Sequence, residues 1–213
     1  MARIYKGILG GFSGKVGNVV GTNWRGIDVI RSLPKRSNRT PTQNQLDQQE
    51  KFGLMMGFMS SMSPLVTETF KAYAKGITNM NAAVSYNLQN AISGVVAPFN
   101  ISFPNVLVSR GDLPNANNPV AVAEAGNKVK FSWGNNDGLG KAKGTDKVIL
   151  VVYCDTFKRT VYVIGGNLRS ALSQSLTLPE FTGETVETWV AFITDSGAVT
   201  SNSVYTGSVN IEL

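Results

Sequence analysis

Four cations fall within nine residues at Arg31, Lys35, Arg36 and Arg39. Guanidinium groups at this spacing can fork onto phosphates or carboxylates, and Ser37 and Asn38 lie between them as neutral donors. Lys15 and Arg25 complete a set of candidate contact residues for a partner or polyanion. Residues 1–40 hold eight Lys or Arg against one acid, Asp28, while the rest of the chain holds twelve bases and thirteen acids. The formal net charge of +6 therefore arises wholly in the first fifth of the chain. That segment is where a nucleic acid or an acidic protein surface would bind, against the plainer reading of a solvated face.

Other chemistry is scarce. The sequence has no histidine and a single cysteine, Cys154, so imidazole acid/base catalysis, Cys/His zinc sites and internal disulfides are excluded. Cys154 closes the apolar run Val148–Cys154, where a thiol acts as a small buried hydrophobe. Gly10-Gly11-Phe12-Ser13-Gly14-Lys15 invites comparison with a phosphate loop and fails it. Leu9 stands where the first glycine is required, and Val16 where a hydroxyl should meet magnesium. The six carboxylates from Asp137 to Glu187 are spread over separate turns and strands. No catalytic, metal or cofactor residues and no small-molecule substrate can be named, and the expectation is a protein that is not an enzyme.

The elements that must carry the basic segment follow from glycine and from periodicity. Residues 4–34 contain Gly7, Gly10, Gly11, Gly14, Gly17, Gly21 and Gly26, a density whose backbone entropy disfavours helix, while Val and Ile between them suit strands. The pattern predicts a strand pair, 15–24 and 27–32, turning at Arg25-Gly26. Thr40-Pro41-Thr42-Gln43 reads as a capping box that opens a helix at Pro41. Ser63-Pro64 starts a second helix, and Met80, Val84 and Leu88 mark a third that closes at Gly94. The methionines at 55, 56, 59, 62 and 80 are either core or an adaptable binding surface.

Residues 94–104, with Pro98 and Pro104, read as a linker, after which the period becomes alternating. Strands are expected near 105–109, 119–123, 127–133, 146–154, 160–164, 175–178, 185–193 and 203–211. The fold class is α+β: residues 1–97 form a glycine-rich basic strand pair with two or three helices, and residues 98–213 an antiparallel β-sandwich.

Two resemblances refine this. The stretch 129–209 resembles a fibronectin type III domain: Trp133 stands at that family's early core tryptophan, Tyr153 lies in its third strand, and Leu176–Pro179 matches its L-x-L-P stretch. Gly183–Ala191 follows the pattern of its later strand, with Val186 in place of the family's tyrosine. Nearly the whole chain is similar to a Bacteroidota family catalogued as a domain of unknown function. The motifs are 7–21, Arg31-Ser-Leu-Pro34, Thr40-Pro-Thr-Gln43, Ser85-Tyr-Asn-Leu88 and Ser203-Val-Tyr-Thr-Gly207. The glycine-punctuated strands, the Arg-Ser-x-Pro turn and the Thr-Pro-x-Gln start also resemble small proteins of tailed phages and prophages. These likenesses imply a recognition or spacer module in a virion or mobile-element component.

The functional expectation is a structural or assembly subunit, a homo-oligomer or part of a larger protein assembly, that uses residues 1–40 for contacts between chains. The alternative is a nucleic-acid-binding protein using Lys15, Arg25, Arg31, Lys35, Arg36 and Arg39. No apolar run reaches the roughly 18 residues of a membrane span and no signal peptide is recognised, so no membrane partner is expected. The expected location is the cytoplasm as synthesised, with a virion as the destination of a particle component.

Overall fold

The computed structural model describes residues 2–3, 11–24, 26–35 and 39–212. The architecture is mixed α+β, and the chain divides into two compact units, 1–42 and 43–213.

The first unit is one antiparallel sheet of β1 (Ala2–Arg3), β2 (Gly14–Val16), β3 (Val19–Trp24) and β4 (Ile27–Ser32), in the order β1-β4-β3-β2. The strand pair expected from the sequence is thus part of four strands. The segment 15–24 is not one strand, because Gly17, at φ +58, and Asn18 fold it back so that Val16 faces Val19. A turn with positive φ needs glycine or asparagine at its tip, and both are present.

The second unit begins with α1 (Gln43–Ser60), α2 (Ser63–Thr69) and α3 (Asn79–Asn90). Helix α1 starts at Gln43, later than the Pro41 expected from the capping box. Pro64 sits in the first turn of α2, and the Thr78 hydroxyl accepts the Asn81 amide at 3.1 Å to cap α3. The supposed linker is instead a hairpin of β5 (Ile92–Ser93) and β6 (Asn100–Ile101), anchored because Phe99 and Phe103 supply apolar surface that must be buried.

The remaining strands are β7 (Asn117–Glu124), β8 (Lys128–Gly134), β9 (Lys147–Cys154), β10 (Arg159–Leu168), β11 (Ser173–Thr177), β12 (Thr185–Ile193) and β13 (Val204–Asn210). They make a four-stranded antiparallel sheet, β10-β9-β12-β13, and a three-stranded one, β11-β8-β7. Strand β9 explains the unbroken apolar run at its centre. Val148, Leu150, Val152 and Cys154 join a core with Val129, Phe131 and Trp133 of the smaller sheet. Ile149, Val151 and Tyr153 point the opposite way into a core with Met55, Phe58, Met59 and Met62. The larger sheet is therefore covered on both faces, by helices on one and strands on the other. The methionines are core: Met55, Met59 and Met62 are fully buried and Met56 and Met80 pack against them.

No strand forms at 105–109. Val106, Val108 and Ser109 are buried, yet side chains take the place of a ladder partner. The Asn87 amide group bonds both the N–H and the C=O of Leu107, and the Ser203 hydroxyl accepts the Val108 amide at 3.0 Å. Gly111 closes this segment against Thr200, whose carbonyl oxygen would lie 1.9 Å from a Cβ at that position. The Gly111→Ala variant is expected to lose roughly 1–3 kcal/mol of stability in urea unfolding, since the obstacle is backbone. An unchanged midpoint would show that 109–112 shifts freely.

Candidate functional site

The strands of the first unit decide which of the six cations act together. Register pairs Lys15 with Val20 and Val20 with Arg31, so the two cations flank Val20 on one face of the sheet. Alternation puts Thr22 and Trp24 of β3, and Ile27 and Val29 of β4, on that same face. Lys15 and Arg31 are both exposed and form no ion pair among the described residues.

Asp28 sits on the opposite face. Its carboxylate accepts the Asn23 side-chain amide at 2.8 Å, and Asn23 also accepts the Gly26 amide, so the acid is used in closing the turn. The carboxylate packs against Gly11, and the Phe12 ring and carbonyl lie over Gly21 at 2.4–2.7 Å from where a Cβ would be. Segment 11–12 thus crosses the Asp28 face, and Gly21 is required for that close approach. Separation of the acid from Lys15 and Arg31 by the sheet leaves the cationic face without its only local counter-charge.

Lys35 and Arg39 are exposed in the irregular segment after β4, so register does not join them to Lys15 and Arg31. Arg25 and Arg36 lie outside the described residues. The loop before Lys15 leads into a strand, not a helix, and so lacks the helix N-terminus that a phosphate loop uses.

Reactive groups elsewhere are committed to structure. Cys154 is fully buried in β9. Glu184 accepts the Thr156 hydroxyl at 2.8 Å, while Glu187, three residues on, accepts the Tyr205 hydroxyl; burial and this contact push the Tyr205 phenol well above its ordinary range. Among the described residues no group of three or more Cys, Asp or Glu side chains is placed to hold a metal ion. Among them too, no helix is long and apolar enough to cross a membrane. Two arginines that the sequence reading passed over are the most constrained cations in the second unit. Arg169 is buried in an ion pair with Asp146 at 3.1 Å, and the Arg110 guanidinium lies over the rings of both Tyr73 and Tyr86. Neither stands in a charge run, and only contacts with residues distant in sequence distinguish them.

No curated protein matches the chain. A family model matches residues 11–207, which shows that the chain belongs to the Family of unknown function (DUF6266).

Proposed function

We propose, from membership of a family to which no activity is attached, that this chain is a non-enzymatic assembly subunit whose residues 1–42 make contacts between chains. The observation that carries the reading is the poverty of core in the first sheet. Of residues 11–24, 26–35 and 39–42, Gly21 and Val29 alone are buried. Val16 is 64% exposed and Leu33 39%, with Val19 exposed beside Val16. A small sheet gains stability by packing a face against something, and further chains would supply that surface. The second unit has two large cores of its own and needs no such help.

The order β11-β8-β7 facing β10-β9-β12-β13, with Trp133 edge-on to Phe192 between the sheets at 5.6 Å, supports reading residues 117–210 as a fibronectin type III-like sandwich. Such a module would act as a spacer or recognition element carrying a helical layer on its outer face. The likeness of the glycine-punctuated strands to small tailed-phage proteins supports a phage, prophage or related mobile-element origin.

Light scattering on the full chain tests the proposal. A salt-resistant oligomer is expected, and Val16→Asp with Val19→Asp should shift it to monomer. Wild-type protein that stays monomeric at high concentration overturns the reading.

Nucleic acid binding is the second reading, favoured by the placement of Lys15 and Arg31 on the face away from Asp28. Removing both by Lys15→Ala and Arg31→Ala should reduce the slope of log affinity against log salt for duplex DNA by about 2. Binding that ignores both salt and these changes would eliminate it.

A further inference from the structure

Arg110 follows a buried segment whose backbone is held at every step. The Asn87 amide fixes Leu107, and Ser203 and Ser201 fix Val108 and Ser109. The Arg110 amide donates to the Thr69 carbonyl at 3.3 Å, the Thr200 hydroxyl donates to the Arg110 carbonyl at 3.1 Å, and Asn202 accepts the Gly111 amide. The side chain is held as firmly as its backbone. Its guanidinium carbon lies 4.0 Å from the ring centre of Tyr73 and 4.6 Å from that of Tyr86. Cation–π contacts engage the faces of a guanidinium and leave its N–H groups pointing outward in the plane. Among the described residues none accepts a hydrogen bond from that guanidinium. Both tyrosines and Arg110 line an open cleft of about 370 Å³ with Ser85, Gln89 and the apolar Ile77 and Ala82.

A half-buried arginine with no protein acceptor among the described residues has its donors free for solvent or for a ligand. Here a rigid fork has been built and its donors left to the cleft. We propose that this cleft binds a carboxylate bearing an apolar substituent: the Arg110 fork grips the two oxygens, Ser85 and Gln89 add neutral hydrogen bonds, and Ile77 and Ala82 meet the apolar body. The charge balance favours a carboxylate over a phosphate. Arg110 is the one cation lining the cleft among the described residues, and Asp112, which accepts the Tyr73 hydroxyl at 3.2 Å, adds a negative charge beside the two rings. A dianion would need a second cation to offset both.

The ligand could be a free small acid or the C-terminus of a peptide, and the probes distinguish these. The full chain is titrated with benzoate, N-acetylleucine, N-acetylleucinamide and inorganic phosphate, following the Arg110 side-chain Nε–H resonance by NMR. Saturable shifts are expected with the two carboxylates and none with the amide. Tighter binding of N-acetylleucine identifies a peptide terminus as the natural source, and tighter binding of benzoate a free acid. The variant Arg110→Lys keeps the charge but loses the fork, and its carboxylate affinity should fall tenfold or more. Near-UV circular dichroism verifies that it is folded, and ligand-induced changes in tyrosine absorbance replace the lost resonance as its readout. No saturable shift, equal binding of the amide, tighter binding of phosphate, or unchanged affinity in Arg110→Lys would each overturn the proposal.

Discussion

Replacing Arg169 by Met is expected to lower the unfolding free energy by about 3–5 kcal/mol, the usual loss when one member of a buried ion pair is removed. Arg169 is 0% exposed and Asp146 1%. The guanidinium spends its donors on the Asp146 carboxylate at 3.1 Å, the Asn136 side-chain oxygen at 2.7 Å and the Pro114 carbonyl at 3.1 Å. Its face lies 3.8 Å from the Phe192 ring centre, and the Trp133 indole N–H donates to its carbonyl. This one residue ties the loop 135–146, the segment at Pro114 and both sheets together at one end of their shared core. Burial pulls the Arg169 pKa below the ordinary arginine value while the Asp146 charge pushes it back up, so the pair is held by mutual compensation. With methionine at 169, the Asp146 carboxylate keeps the Lys143 amide at 2.9 Å and loses its counter-ion. Urea unfolding followed by tryptophan fluorescence measures the loss. The double variant Arg169→Met with Asp146→Leu should recover a large part of it, because the uncompensated charge is gone. A single-variant loss under 1 kcal/mol would mean that water reaches this end of the core and solvates the carboxylate.

The second large effect is expected at Asn87. This side chain is fully buried in α3, accepts the Leu107 amide at 2.9 Å, and donates to the Leu107 carbonyl at 2.9 Å and the Ala83 carbonyl at 3.0 Å. It serves as a strand partner for a segment that has none. Asn87→Leu keeps the number and branching of the side-chain heavy atoms and removes the bonds, stranding both polar groups of Leu107. Each unsatisfied group costs about 1–3 kcal/mol, and because Leu107 is half-buried the expected loss is about 2–4 kcal/mol. Hydrogen exchange localises it: protection at Leu107 and Val108 should fall more than in β9. A uniform loss across the unit would show that Asn87 serves packing rather than the 106–111 segment. Since that segment carries Arg110, the same variant should weaken carboxylate binding in the cleft without touching it.

Much of the fold was legible from local pattern. Strands 185–193, 146–154 and 127–133 are found within a residue of their expected bounds, because each alternates or runs apolar between turn residues. The helices were legible from Ser63-Pro64 and from the 3.6 period of Val84 and Leu88. The errors fall where a residue's meaning depends on distant partners. Residues 94–104 carry two prolines and read as a linker, yet Phe103 lies 6.2 Å from Trp189 and 5.9 Å from Tyr153 in an aromatic cluster under α1. Residues 105–109 have strand composition and make none, since Leu107 and Val108 bond the side chains of Asn87, Thr69 and Ser203 in place of a strand backbone.

The amino-acid order alone determined the charge asymmetry, the absence of imidazole chemistry and the succession of a glycine-rich strand region, helices and strands. Those properties are carried by composition and short-range periodicity, which need no partner across the fold. Tertiary structure alone decided that the helices share a core with β9 and β12, and that Lys15 and Arg31 meet across Val20 while Asp28 faces away. It also decided that Arg169 is buried against Asp146, whereas Arg110 lies over Tyr73 and Tyr86 with no acceptor for its guanidinium among the described residues. Residues tens of positions apart acquire a common environment only when strand register and helix packing bring them together. A cation's role is set by that environment and not by its neighbours in the chain.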